Sequence, residues 1–494
     1  MKISPQIFRL YDIRGIAGDS FSPEEIAKYE KWYGPFPGVT LTSVAAKAIG
    51  KAYGTLIGRN GGKRVVVGYE ARPFATNLHS AFIKGIRSTG CDVIDAGASL
   101  TPVIYFADAF FNFDGGVNIT GSHNVYFYNG FKMMKKGVWP LFGEELQRLR
   151  ALVESEEFET GTEGSYEVLD VYRAYREYFL SHVKLSRKLR IVIDTGNGSA
   201  GMFAPQLLRD LGCEVVELYT ELDATFPHHD PDPEAPQNLI DLGRKVVEKK
   251  ADLGIGIDAD GDRAGFVNER GEFLSADLVL LALAKDALSR NPGKKILYDV
   301  KCSQLLEELI PTYGGIPFMH QTGHAPIKET LRKDSEVILA GEVSGHFYFV
   351  EDYFKIDDGL FAAGKVLELF SRQQEKFSSL FRDIPVRVRT PEIKLPCVDG
   401  KKFEVIEKIK LQMRDTFPSI LIDGIRIQIT EKSWGVVRAS NTSPYITIRV
   451  EGSSEEEVLN VKRIFADSLE KFPEIQDTLD KSHVVTFTGK LGWR

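Results

Sequence analysis

The chain has 494 residues, 43% of them apolar and 27% charged, a globular composition that excludes a disordered or fibrous protein and, at roughly 100–200 residues per domain, predicts about three to five domains. Its 62 basic and 69 acidic residues leave a formal charge of −7, so nothing favours a general electrostatic hold on nucleic acid or an anionic membrane, and any anionic ligand must be held locally. Cys91, Cys213, Cys302 and Cys397 are far apart, with no CxxC or Cys/His spacing, the start of the chain lacks an apolar signal region, and no stretch approaches about 18 apolar residues. The expectation is a soluble protein of a reducing, cytoplasmic compartment, with no nucleic-acid or membrane partner.

In chain order, one pattern occurs three times. The strand Arg64–Gly68 leads through a helix over 77–88 to Gly90 and the strand Val93–Ile94. The strand Ile191–Asp194 leads through a helix containing Leu207 and Leu208 to Gly212 and the strand Val215–Val216. The strand Lys295–Tyr298 leads through a helix containing Leu305 and Leu309 to Gly314, Gly315 and a strand near Phe318. Short apolar strands alternating with helices predict α/β units with sheets covered on both faces. A glycine after each helix suits a left-handed C-cap.

Each copy is followed by a further apolar strand that stops in a polar, glycine-containing loop. These loops are Thr120-Gly121-Ser122-His123-Asn124, Asp258-Ala259-Asp260-Gly261-Asp262-Arg263 and Gly341-Glu342-Val343-Ser344-Gly345-His346. Ligands of open α/β sheets bind beyond the carboxyl ends of strands, so chemistry is expected there. From about residue 388 the pattern changes. A helix over 403–413, strands Ile420–Ile422 and Ile425–Ile429 joined through Asp423-Gly424, two strands flanking 441–444 and a helix capped by Ser454 and Glu457 predict a small α+β domain.

Alternating Asp258, Asp260 and Asp262 can converge hard oxygen ligands on a divalent cation such as Mg²⁺. The spacing imitates an EF-hand, with Glu269 at the twelfth position, but Arg263 stands where the turn glycine belongs and strands flank the loop. A strand-DxDG phosphatase with Asp258 as nucleophile is a second rival. The Gly196-Asn197-Gly198-Ser199-Ala200-Gly201 loop fits a dinucleotide fingerprint, with Glu217 near the ribose position, or simply a tight strand-to-helix turn. Ser122 and His123 are adjacent, a spacing that does not make a nucleophile–base pair. His228, His229, Asp230 and Asp232 look like metal ligands by type, whereas the prolines among them favour an irregular loop. Arg438, Ser440, Asn441, Thr442 and Arg449 gather around one hairpin turn and supply donors suited to phosphate. A cation triad, a strand-end serine and a remote phosphate cradle together suggest phosphoryl transfer.

These residues resemble the α-D-phosphohexomutase family, in particular its phosphomannomutase/phosphoglucomutase branch. The resemblance runs in order through Tyr11-Asp12-Ile13-Arg14-Gly15, the Ser122 loop, Tyr128-Asn129-Gly130-Phe131-Lys132, the Asp258–Arg263 loop, Asp299-Val300-Lys301, Thr322-Gly323-His324, the Glu342 loop and the Arg438 loop. It implies four domains around a cleft, drawn here at 1–168 (phosphoserine), 169–272 (metal), 273–387 (sugar) and 388–494 (phosphate). It also implies Ser122 as phosphoserine, Mg²⁺ on Asp258, Asp260, Asp262 and a phosphoserine oxygen, and positive charge from Arg263 and Lys132. Proton transfer falls to His324 or Lys132, with Arg14 as a further participant. Tyr11, Lys301, Glu342, Ser344, His346, Arg438, Ser440, Asn441, Thr442 and Arg449 become substrate-binding residues. The implied reaction interconverts hexose 1- and 6-phosphates in a monomer or dimer, with a hexose 1,6-bisphosphate as intermediate and activator. Phosphoglucosamine mutases, which usually carry Gln at the Val343 position, are an alternative; a non-catalytic sugar-phosphate binder or an NAD-linked enzyme is more distant. Val125-Tyr126-Phe127 departs from the family's proline-containing stretch, and the extension Val484–Arg494 has no assigned role.

Overall fold

Each repeat closes three parallel strands with a fourth that runs back against them. In the computed structural model, which describes residues 3–33, 35–441 and 443–480, Arg64–Tyr69 lies between Asp92–Ala98 and Gly115–Ile119, and Tyr128–Lys135 returns antiparallel to the last. Arg190–Asp194 is flanked likewise by Glu214–Leu218 and Leu253–Ile257, with Ala264–Asn268 returning. Lys295–Asp299 is flanked by Ile316–His320 and Val337–Gly341, with Phe347–Phe349 returning. The polar loops are therefore hairpin reversals at strand ends. The returning strand Ala264–Asn268 is buried throughout, so it carries no alternating pattern by which periodicity separates it from its partner. Gly90, Gly212 and Gly314 end their helices at φ of 90°, 106° and 80°, where a side chain would be strained.

The fourth unit is an antiparallel sheet in which Tyr445–Gly452 and Ser433–Ala439 are central. The helices Lys402–Met413 and Glu455–Leu469 bury Val405, Ile406, Ile409, Val458, Val461 and Phe465 against Ile425, Ile427, Ile446 and Ile448, each such side chain contributing about 1.5–3 kcal/mol of transfer free energy. Ser454 Oγ accepts the Glu457 N–H at 3.2 Å, while the Glu457 carboxylate takes the N–H of Ser453 at 2.6 Å. The first arm of the Asp423-Gly424 hairpin pairs only at Ser419 and Ile420. Leu421 and Ile422 are exposed instead of extending it.

Two packings position the site. The helix Thr101–Phe110 joins a hydrophobic core shared by the first three units, where Phe106 meets Tyr175 edge-on at 5.5 Å. The start of that helix docks on the aspartate loop, Thr101 N–H donating to the Asp260 carbonyl at 2.9 Å. Near the N-terminus, the helix Pro23–Tyr33 belongs to an arm whose Phe21, Tyr29 and Phe36 pack against Phe127. With Ile16, Val125 and Tyr128 they form a small separate core, which accounts for the apolar Val125-Tyr126-Phe127 stretch. Among the described residues no helix is long and apolar enough to cross a membrane. Val484–Arg494 lies outside the described residues.

Candidate active site

The three aspartates sit at the reversal between Leu253–Ile257 and Ala264–Asn268, all fully buried. One ligand oxygen from each lies within 4.8 Å of the others. Asp258 Oδ2, Asp260 Oδ1 and Asp262 Oδ1 make no hydrogen bond to the protein. Burial, then Asp262 and Asp260, pushes the Asp258 carboxyl well above the usual carboxylate range. Burial also acts on Asp262, but Lys132, His346 and Arg263 together outweigh it and hold that carboxyl well below the range. Lys132 Nζ contacts Asp260 at 2.9 Å and also Asp262. Three buried carboxylates with orphaned oxygens and no sulfur donor among them fit a hard divalent cation such as Mg²⁺. Glu269, the EF-hand candidate, is instead committed to Ser378.

Ser122 is held in the left-handed region at φ 54°, a conformation that costs a non-glycine residue about 1–3 kcal/mol and persists only under outside constraint. Its N–H donates to Thr120 Oγ1 at 2.7 Å, and Thr120 Oγ1 lies 3.0 Å from Asp260 Oδ2, so the serine and aspartate loops are stitched together. Gly121 precedes it where a Cβ would stand 2.2 Å from Arg72 Nη1 and 2.4 Å from the Tyr128 carbonyl. The left-handed turn brings Ser122 Oγ to 3.2 Å from His123 Nδ1, so the adjacent side chains meet. Burial, reinforced by Arg263, Lys394 and Lys132, keeps the His123 pKa well below its ordinary value. The ring is neutral and can accept a hydrogen bond from the serine hydroxyl, but the same shift makes it a weak base for taking the proton.

Above these loops one cleft is lined by residues of all four units: Tyr11, Arg14, Ser122 and Lys132; Arg263; Lys301, His324, Glu342, Ser344 and His346; and Arg438, Ser440 and Asn441. Arg14 donates to Asp12 and to the Thr120 carbonyl, each at 3.0 Å. His324 Nε2 is 3.3 Å from Asp12 Oδ2, and its Nδ1 makes no hydrogen bond to the protein. Glu342 accepts the Gly323 N–H at 2.7 Å and the Tyr348 hydroxyl at 2.8 Å. Ser344 Oγ is 2.8 Å from His346 Nδ1. Arg438 is fixed by Asp423 at 2.7 Å.

Arg449 is not in this cleft. Its guanidinium is committed to Asp277 at 3.1 Å and to the Lys301 carbonyl at 2.7 Å, joining the third and fourth units. Residue type around a hairpin could not reveal that a buried carboxylate from another unit claims it. Thr442 lies outside the described residues. The glycine-rich loop is a tight turn. A Cβ on Gly198 would lie 2.6 Å from Ala259 and one on Gly201 2.0 Å from the Thr220 carbonyl, while Glu217 pairs with Arg209. His228 stacks on Tyr219 at 3.8 Å and His229 pairs with Asp194, both bracing the loop.

The sequence reading assigned no site role to Asp12, His123, Glu234, Glu392 and Lys394, which also line the cleft. Lys301 lies 3.2 Å from Glu392 and 3.8 Å from Glu234. Burial lifts the Glu234 carboxyl to about 7 despite Lys301. Glu392, just before the strand Ile393–Pro396, and Lys394 within it alternate with Ile393 and Leu395, a period-two signal of a polar face. Glu234, in an irregular loop, left none.

Fold and cleft define a four-unit α/β protein with a composite site, and comparison with known proteins gives the same class. Four family models of phosphoglucomutase/phosphomannomutase match in order: α/β/α domain I at residues 5–160, domain II at 173–271, domain III at 275–388 and the C-terminal domain at 392–468. The chain belongs to the phosphoglucomutase/phosphomannomutase family. It is 40% identical over 464 residues to the phosphomannomutase/phosphoglucomutase of Pseudomonas aeruginosa, covering 94% of this chain and 95% of that one. It is 36% identical over 477 residues to the phosphoglucomutase of Neisseria gonorrhoeae, covering 96% and 98%. A crystal structure of a family protein from Burkholderia thailandensis superposes with a TM-score of 0.85 at 36% identity, covering 97% of this chain and all of that one.

Proposed function

We propose that this protein is an isomerase interconverting hexose 1-phosphates and hexose 6-phosphates through a phosphorylated Ser122. The observation that carries the reading is the stitching of the Ser122 turn to the three-aspartate loop beneath one cleft supplied with cationic side chains by all four units. Family membership supports the reaction class, and the relatives' names supply the sugars.

Asp258, Asp260 and Asp262, with a phosphoserine oxygen, would hold Mg²⁺, which when bound neutralises charge on the transferring phosphoryl group. Arg263 and Lys132 add positive charge from the protein, and Arg438, Ser440 and Asn441 hold the phosphate that is not reacting. A sugar hydroxyl attacks phosphorus, the bond to Ser122 Oγ breaks, and His324 takes the hydroxyl proton, its ring oriented by Asp12. Lys132 is the weaker candidate for that step. Burial lowers its pKa, but Asp260 and Asp262 outweigh this and raise it above the ordinary lysine value, so it remains an ammonium. The hexose 1,6-bisphosphate then turns over in the cleft, its other phosphate returns to Ser122, and the proton goes back to the sugar oxygen left behind.

Glu342 and Ser344 address hydroxyls at C3 and C4, and glucose and mannose differ at C2, so both are expected substrates. The four buried, unpaired cysteines support a reducing, cytoplasmic setting, and gel filtration distinguishes monomer from dimer. The deciding assay offers mannose, glucose and glucosamine 1-phosphates with Mg²⁺ and a hexose 1,6-bisphosphate activator, and ranks kcat/KM. Comparable turnover of mannose and glucose is expected, and preference for glucosamine would move the protein to the amino-sugar branch. Ser122→Ala should fold and be inactive; normal turnover by it would sink the mechanism.

A further inference from the structure

We infer that Arg72 is the positioning residue for the reacting serine, holding the turn that presents Ser122 without entering the cleft; the inference rests on the phosphoserine reading above. Five hydrogen bonds converge on this one side chain. Nε donates to Glu70 Oε1 at 2.9 Å. Nη1 donates to the carbonyls of Asn124, Val125 and Tyr128 at 3.0, 2.9 and 3.1 Å, and Nη2 to the carbonyl of Ser122 itself. Its side chain is wholly buried. The loop from Ser122 to Tyr128 therefore wraps its carbonyls around one planar cation.

The partner of that cation completes the grip. Glu70 Oε2 lies 2.6 Å from the Thr120 hydroxyl and accepts the Gly121 N–H at 3.1 Å, so the Glu70–Arg72 pair holds the chain on both sides of Ser122. Phe226, from the second unit, covers the guanidinium with its ring centroid 5.1 Å away. Carbonyls gathered inward leave the serine hydroxyl facing outward, and the positive φ of Ser122 is maintained by constraint from outside the residue. The fork geometry matters. A planar group with five fixed donors can serve carbonyls in several directions, whereas an ammonium on a flexible stem cannot.

The test uses the full chain as Arg72→Lys, Arg72→Gln and Glu70→Gln, with glucose 1-phosphate and glucose 1,6-bisphosphate as probes. Melting curves establish folding, steady-state kinetics give kcat and KM, and intact mass follows phosphorylation of the protein by the bisphosphate. The expected result is a cooperative fold, a kcat lowered about 100-fold in both Arg72 variants, as a misplacement of roughly 1 Å produces, and a smaller loss in Glu70→Gln. KM should stay near the wild-type value because the sugar-phosphate contacts lie in other units, and the phosphorylation rate should fall with kcat. A folded Arg72→Lys protein with wild-type kcat would overturn the inference. So would a kcat loss matched by a rise in KM, or loss of folding in all three variants, which would make the pair a folding element. A fully active Ser122→Ala protein would instead remove the phosphoserine reading and this inference with it.

Discussion

Asn441, in the fourth unit, donates a hydrogen bond of 3.1 Å to the hydroxyl of Tyr11, in the first. Both residues line the cleft, and a second bridge joins the same two units, Arg9 to Asp399 at 2.6 Å. The two ends of the chain thus close one site. Tyr11 in turn lies edge-on to His324, with ring centroids 5.2 Å apart, so closure also seats the imidazole.

Loss of the outer bridge should loosen closure. Arg9 and Asp399 are 18% and 38% exposed, and an ion pair at that exposure contributes about 0–1 kcal/mol. Asp399→Asn should therefore raise KM for a hexose phosphate by at most about fivefold with kcat nearly unchanged, and the difference from wild type should vanish at high salt. Steady-state kinetics at two ionic strengths provides the check.

Cation binding should release protons. The aspartate loop holds Asp258 far above the usual carboxylate range before a divalent ion arrives, and the ion requires the ionised form. Mg²⁺ affinity should fall as pH is lowered, and calorimetric titration in buffers of different ionisation enthalpy should show proton uptake by the buffer. Chelation should abolish turnover, and added Mg²⁺ should restore it and raise the melting temperature. Pure pH-independence of binding would contradict the loop as the site.

His324 and Asp12 should act as a unit. Burial raises the Asp12 carboxyl, but Arg14 and then His324 outweigh it and bring it to about 2. Asp12 is therefore an anion throughout the working range, available to accept the His324 N–H. His324→Asn should lower kcat by about 10²–10⁴. Asp12→Asn should lower it less, because the base remains and only its orientation is lost. Equal KM values across the set, with wild-type kcat in His324→Asn, would return the proton-transfer role to Lys132.

Asp277 should dominate acid stability at the junction of the third and fourth units. Burial works against its ionised form, yet Arg449 and Arg389 outweigh it and hold the carboxyl at about 2, against an ordinary value of 3.8. The sign follows from the depressed value: the stabilisation is fully present above about pH 3.8 and is lost as pH falls toward 2. Asp277→Asn leaves two buried guanidinium groups short of a counterion and should cost about 3–5 kcal/mol, read as a lowered melting temperature at neutral pH. Arg449→Met should also destabilise while leaving KM little changed, whereas Arg438→Met should raise KM.

The linear order of residues already carried the three repeats, the strand-end loops and the aspartate triad, because each depends on neighbours within a few residues: buried strands read as apolar runs, and a metal loop needs its carboxylates close together. The α+β end of the chain was legible for the same reason, through its hairpin turn and helix cap. Contacts between distant residues were not. That Arg449 turns to Asp277, that Asp12 reaches His324, that Glu234 and Glu392 share Lys301, and that adjacent Ser122 and His123 meet through a left-handed turn depend on how four units pack and on one backbone angle. Low dielectric and burial then decide which of these groups stay charged, and both are properties of the assembled cleft. A net charge of −7 is compatible with a site for anions because the cationic side chains are gathered there by tertiary structure.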